Sequence, residues 1–245
     1  MKYISFFGGD SKTGATSIAY CVAERLSSMN YKTLMIFASG RSSRSLSGKN
    51  FRYSIDDIKA AIISGKVTAD DVMHITEKVG RLHVINDVRN TFTSKLFPLD
   101  TFERLSIIGE YYDYVVIDAG NRFENAMTVS ALNVSHQCFF LLNQNQVSIG
   151  RFIETDEYVL RQMNKDIEII LNMCRKNIAL HRKKEIEALV KREIRYEIPY
   201  GGDACMYDDS FSEILSKKKC RKVVNVIAAD IAGRPDSKPG NGFFS

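Results

Sequence analysis

No apolar run in this 245-residue sequence comes near the ~20 residues of a membrane-spanning helix. The first residues read as a strand rather than as the apolar stretch of a secretory leader, so no targeting segment is expected. The five cysteines, Cys21, Cys138, Cys174, Cys205 and Cys220, contain no CxxC pair and no zinc-like spacing. An odd, unpatterned set argues against a disulfide framework and fits reduced thiols in the cytoplasm. His74, His83 and His136 stand in separate segments, without metal-ligand spacing or a serine or cysteine partner, which removes the common hydrolase constellations. Basic side chains outnumber acidic ones only 34 to 29, and +5 is too weak to imply nucleic acid by itself. Tryptophan is absent, but composition is otherwise ordinary, 44% hydrophobic and 26% charged.

What is present is an alternation. Apolar, β-branched runs at 2–7, 33–37, 82–85, 113–118, 137–142, 167–172 and 194–198 predict strands. Amphipathic stretches at 16–29, 55–64, 100–111 and 180–193 predict helices between them. Strands that are continuously apolar have both faces covered, so the expected fold is α/β: a doubly wound, mostly parallel sheet with helices on both faces. One domain over residues 1–232 is expected, with 233–245 a disordered tail by composition.

The most informative stretch is FFGGDSKTGATSIA, residues 6 to 19. A strand runs into glycines and a helix follows, which is the setting of a phosphate-binding loop. There, backbone N–H groups and the helix dipole face phosphate oxygens. The frame is Gly9-Asp10-Ser11-Lys12-Thr13-Gly14-Ala15-Thr16-Ser17, close to GxxxxGK[ST] but with Ala15 where the lysine belongs. A tight strand-to-helix turn capped by Thr13 or Thr16 is the plainer alternative. Further on, the strand Asp113-Tyr-Val-Val-Ile-Asp118 ends in a carboxylate and is followed by Gly120, the arrangement that holds a Mg²⁺ shell. Two later strands end in Asn172 and in Ile198-Pro199.

In this order the elements resemble the ParA/MinD family of deviant Walker A P-loop ATPases. The likeness runs through the first loop and helix, then IDDIKAAIISGKVTADDV, YYDYVVIDAG, IILNMCRKN and EIPYGGD, most of residues 1–232. The resemblance implies ATP or ADP held by residues 9–17, with Asn172 and Pro199 flanking the adenine, and Mg²⁺ held by Thr16 and Asp118. It also exposes departures. The family's signature lysine, which acts across a dimer, falls on Asp10, and its P-loop lysine falls on Ala15. The Asp-x-Asp that positions the attacking water falls on Phe37 and Ser39. Loss of one charge-assisted contact, roughly 1.5–3 kcal/mol, weakens binding without abolishing it. Loss of both lysines and both carboxylates removes what hydrolysis needs. Lys12 is a partial substitute for a lysine or a solvated loop residue.

The resemblance thus implies a nucleotide-binding localisation or assembly factor with weak or absent hydrolysis, nearest the TadZ/CpaE-like branch that serves pilus and secretion machinery. Its partners would be a second copy, as a homodimer, and a protein of that machinery. Two alternatives stand: an active partition ATPase that binds DNA nonspecifically, and a nucleotide-free pseudo-ATPase scaffold. The basic segment 39–50, with Arg41, Arg44 and Lys49, favours DNA, although a solvated loop is the simpler reading. The basic run 217–222 ahead of an apolar helix suggests peripheral membrane contact, although a last core helix with a wet basic end is simpler. The basic residues of 181–184, Arg192 and Arg195 read as wet face, and Met163 and Met173 as core fillers.

Overall fold

The computed structural model describes residues 1–40, 50–176, 181–202 and 211–233. Arg41, Arg44, Lys49, Cys205 and the tail from 234 lie outside the described residues. The strands are β1 (Lys2–Gly8), β2 (Thr33–Phe37), β3 (Glu77–Val79), β4 (Leu82–Ile85), β5 (Tyr114–Gly120), β6 (Gln137–Leu142), β7 (Glu168–Cys174) and β8 (Ile194–Pro199). They form one sheet in the order β3-β4-β2-β5-β1-β6-β7-β8. Every described pairing is parallel except β3 against β4. The doubly wound α/β expectation holds, with one antiparallel edge strand added.

The helices are α1 (Ala15–Ser28), α2 (Lys59–Ser64), α3 (Ala69–Ile75), α4 (Thr101–Arg104), α5 (Ala126–Val134), α6 (Gln146–Thr155), α7 (Lys183–Val190), α8 (Ser212–Ser216) and α9 (Lys218–Ile231). A 3-10 turn, Ile55–Ile58, leads into α2, and another, Leu105–Ile108, follows α4, so the stretches expected at 55–64 and 100–111 are each split. A π-helical turn, Asp156–Leu160, extends α6.

Alternation along the central strands feeds two cores. In β1, Tyr3 and Phe7 join the core under α2 to α7, and Ile4 and Phe6 join the one under α1, α8 and α9. Phe6 stacks on Phe139 of β6 at 4.8 Å, and Phe7 meets Phe140 edge-on at 4.9 Å. These pairs seat β1 at mid-sheet, where the chain switches from building one side to building the other, and such a switch opens a crevice at the carboxyl ends of the strands. Val224, Ile227, Ala228 and Ile231 of α9 are buried, so its apolar face is used in the core. Lys217 at its N-cap and Lys218, Lys219, Arg221 and Lys222 in its first turns are exposed. Arg192 and Arg195 are not merely wet face: they pair with Asp156 at 2.8 Å and Glu168 at 3.0 Å.

Candidate nucleotide site

β1 ends at Gly8 and α1 begins at Ala15, so the six residues between them turn the chain at the crevice. That turn needs glycine at its helix end. Gly14 has φ +88, and a Cβ there would lie 2.3 Å from Asn172 Nδ2. The close approach has a purpose, because Asn172 Nδ2 donates to the Thr13 carbonyl at 2.8 Å and ties β7 to the loop. Lys12 also adopts left-handed backbone, φ 63, which is uncommon for a residue with a Cβ. Inside the loop, Thr13 Oγ1 donates to the Asp10 carbonyl at 3.3 Å, and Ser11 N–H donates to Asp10 Oδ1 at 2.6 Å.

No side chain caps α1, its first turn contains no acid, and its first internal bond is Ile18 N–H to the Gly14 carbonyl at 3.0 Å. The amides of Ala15, Thr16 and Ser17 therefore precede the helix's own acceptors, as at any uncapped N-terminus. A turn capped by Thr13 or Thr16 is not what is found. Ala15 is 8% exposed and packs its methyl into the α1 core, whereas Ser11 and Lys12 are exposed. Asp118 is fully buried on β5, level with Phe6 of the adjacent β1, and its Oδ1 accepts from Gly120 N–H at 3.2 Å. Thr16, half-buried in the first turn of α1, stands at the same end of the sheet.

Phe37 and Ser39 part company. Phe37 is a core residue with no exposure. Ser39 is 3% exposed, and its hydroxyl donates to Asp87 Oδ2 at 2.7 Å. Asp87, just past β4 and fully buried, also accepts from Gly40 N–H at 3.3 Å and Val88 N–H at 2.8 Å. A carboxylate thus does stand beside the end of β2, supplied by the neighbouring strand. Asn86-Asp87 directly after LHVI repeats the pattern that singled out Asp118, and that was the available signal.

At the ends of β7 and β8 a small cleft is lined by Gly14, Ser17, Asn172, Met173, Pro199 and Tyr200. Met173 is no core filler: it is half-buried, has φ 57, and stands at this rim beside Gly14. The Arg175 guanidinium lies 3.6 Å from the centre of the Tyr200 ring. On the opposite flank, Arg151 of α6 comes against Gly9, while its guanidinium pairs with Glu154 at 3.1 Å. The structure therefore gathers Gly9 to Ser17, Asp118, Asn172 and Pro199 at one end of the sheet, and adds Asp87 and Arg151, which sequence reasoning missed.

A bound nucleotide fits the phosphate end of this site, where an uncapped helix N-terminus adjoins a loop too tight at Gly14 for a side chain. Among the described residues no cluster of three or more metal-ligating side chains exists, so a Mg²⁺ ion would depend on Thr16, Asp118 and phosphate oxygens.

No family model matches the sequence, and no curated protein matches it. Solved structures do. A ParA family ATPase from Chlorobium tepidum TLS superposes with a TM-score of 0.77 at 20% identity, over 93% of this chain and 97% of that one. The septum site-determining protein MinD of Pyrococcus horikoshii OT3, complexed with Mg-ADP, gives 0.74 at 13% identity, over 94% and 95%. A plasmid partition protein of Borrelia burgdorferi B31 bound to AMPPNP gives 0.70 at 18% identity, over 95% and 98%. The chain has the fold of the ParA/MinD P-loop ATPases.

Proposed function

We propose that this protein is a nucleotide-binding localisation or assembly factor, built on the ParA/MinD fold and acting with little or no ATP hydrolysis. The observation that carries the reading is the uncapped N-terminus of α1, at the end of a loop that Asn172 ties to β7 beside Gly14. ATP or ADP would lie along residues 9–17, with its base toward Asn172 and Pro199. Mg²⁺ between Thr16 and Asp118 would neutralise phosphate charge. Weak hydrolysis follows from Ala15 and Asp10 in place of lysines, and from Phe37 and Ser39 in place of carboxylates. The irregular loop supports placement nearest the TadZ/CpaE-like branch, with one domain over residues 1–232, a cytoplasmic site of action and a partner in a pilus or secretion machine.

Titration calorimetry tests this. Mg·nucleotide should bind in the micromolar-to-millimolar range, and Thr16→Ala or Asp118→Ala should weaken it. Absence of heat from folded protein would favour the nucleotide-free scaffold. A second reading, a partition ATPase that binds DNA, is favoured by the exposed cations of 217–222. Robust wild-type turnover that vanishes in Asp118→Ala, together with salt-sensitive DNA binding, would establish it instead. Lipid contact would rest on this basic end alone, since the apolar face of α9 is buried.

A further inference from the structure

We infer that the cavity at the amino ends of β2, β4 and β5 is a second ligand site, suited to a small planar aromatic carboxylate. It lies at the end of the sheet opposite the nucleotide crevice and does not depend on the nucleotide reading above. Three turns enclose it: Asn30 to Lys32 between α1 and β2, Arg81 between β3 and β4, and Glu110 to Tyr112 ahead of β5. Its volume is about 510 Å³, in the range of small-molecule sites. The turns are tied to one another by the chain itself. Arg81 Nη1 donates to Asn30 Oδ1 at 2.7 Å, and Lys32 N–H donates to Asp113 Oδ2 at 2.8 Å. The mouth is therefore pre-formed, which spares a ligand the cost of ordering it.

The walls are aromatic. Tyr31, half-buried, meets Tyr114 edge-on at 5.1 Å, and Tyr111 stands 46% exposed at the rim. Buried Tyr112 places its hydroxyl 2.8 Å from His83 Nδ1 and 3.6 Å from Met73 Sδ. Rings and a thioether receive a flat aromatic body through ring packing and sulfur contacts. Burial first, and Lys78 second, keep the His83 ring neutral, and its other nitrogen has no hydrogen-bond partner among the described residues. That leaves one hydrogen bond for a ligand. Charge decides the rest. Lys32 and Arg81 line the cavity without an ion-pair partner among the described residues, and Glu110 is the only acid that lines it. Two cations against one acid match a single carboxylate. A phosphate would bring more negative charge toward the carbonyl end of α1, which disfavours it.

Because the sequence has no tryptophan, the fluorescence of an added indole can be followed in the full chain without an indole background. The probes are indole-3-carboxylate and uncharged indole, and the readout is fluorescence anisotropy. Wild type should bind the carboxylate with submillimolar affinity, and indole about tenfold more weakly. Arg81→Gln should cut the affinity for the carboxylate by about tenfold and so narrow its advantage over indole. Tyr111→Ala should weaken both probes, by about three- to tenfold. Both side chains are exposed, so each variant should keep the wild-type urea midpoint. No anisotropy change at millimolar probe, equal affinities for the two probes, or affinities that neither variant alters would overturn the inference. Displacement of the probe by Mg·ADP would place it in the nucleotide crevice and overturn it too, leaving the nucleotide reading intact.

Discussion

Replacing Gly14 by alanine should do damage in two separable ways. The left-handed backbone, φ +88, costs a residue with a Cβ about 1–2 kcal/mol. The new Cβ, 2.3 Å from Asn172 Nδ2, also forces that amide away and breaks its 2.8 Å bond to the Thr13 carbonyl. Thr13 and Asn172 are 2% and 4% exposed, so the parted groups stay buried, at about 1–3 kcal/mol. Gly14→Ala should therefore cost about 2–5 kcal/mol, and Asn172→Ala about 1–3 kcal/mol for the same lost bond. In the double variant the bond is lost only once. Its cost should fall short of the sum of the singles by about 1–3 kcal/mol. Urea unfolding of the four proteins measures this directly, and Mg·ADP titration should show Gly14→Ala weakened. Strict additivity, or a Gly14→Ala midpoint equal to wild type, would refute the strut between β7 and the loop.

Three further outcomes are expected. Ala15→Lys should raise nucleotide affinity by about 10- to 100-fold, and turnover by much less, because no carboxylate stands at Phe37 or Ser39; a variant that gains rate but not affinity would contradict this. Light scattering should show an association state that Mg·ATP does not change, since Asp10 replaces the lysine that would reach a second subunit's phosphates; dimerisation only with ATP would hand that bridging role to Lys12. Burial first, and Lys78 second, hold His83 below its ordinary pKa of 6.5. The unfolded chain then binds a proton that the folded one resists, so stability is lost as pH falls below 6.5 toward the depressed folded value. Urea midpoints at about pH 7.5 and about pH 5.5 should differ less in His83→Gln than in wild type, and identical differences would exclude His83 as the source.

Seven of the eight strands could be read from the sequence: most because burial on both faces leaves nearly continuous apolar runs, and β8 because buried Ile194, Tyr196 and Ile198 alternate with Arg195 and Glu197. β3 could not: it has three residues, half-buried or exposed, and an antiparallel edge needs no apolar run. α5, AMTVSALNV, is apolar nearly all round and so carries no helical period. At the candidate site, spacing was enough to single out Gly14, Thr16, Asp118 and Asn172. Arg151 was beyond reach, because only the packing of α6 against Gly9 brings it there. At Asp10 only a charge is legible in the sequence, and the structure adds the Ser11 amide that the charge engages.

Asp87 limits what position 39 can hold. Its carboxylate already occupies the space into which the Ser39 side chain points, with three donors turned toward it. An aspartate introduced at 39 would set two buried carboxylates within bonding distance, and one would have to keep its proton or be expelled. A Ser39→Asp substitution alone would therefore set two acids against one set of donors, and room for it depends on position 87 as much as on 39. The two positions behave as one site that holds a single negative charge.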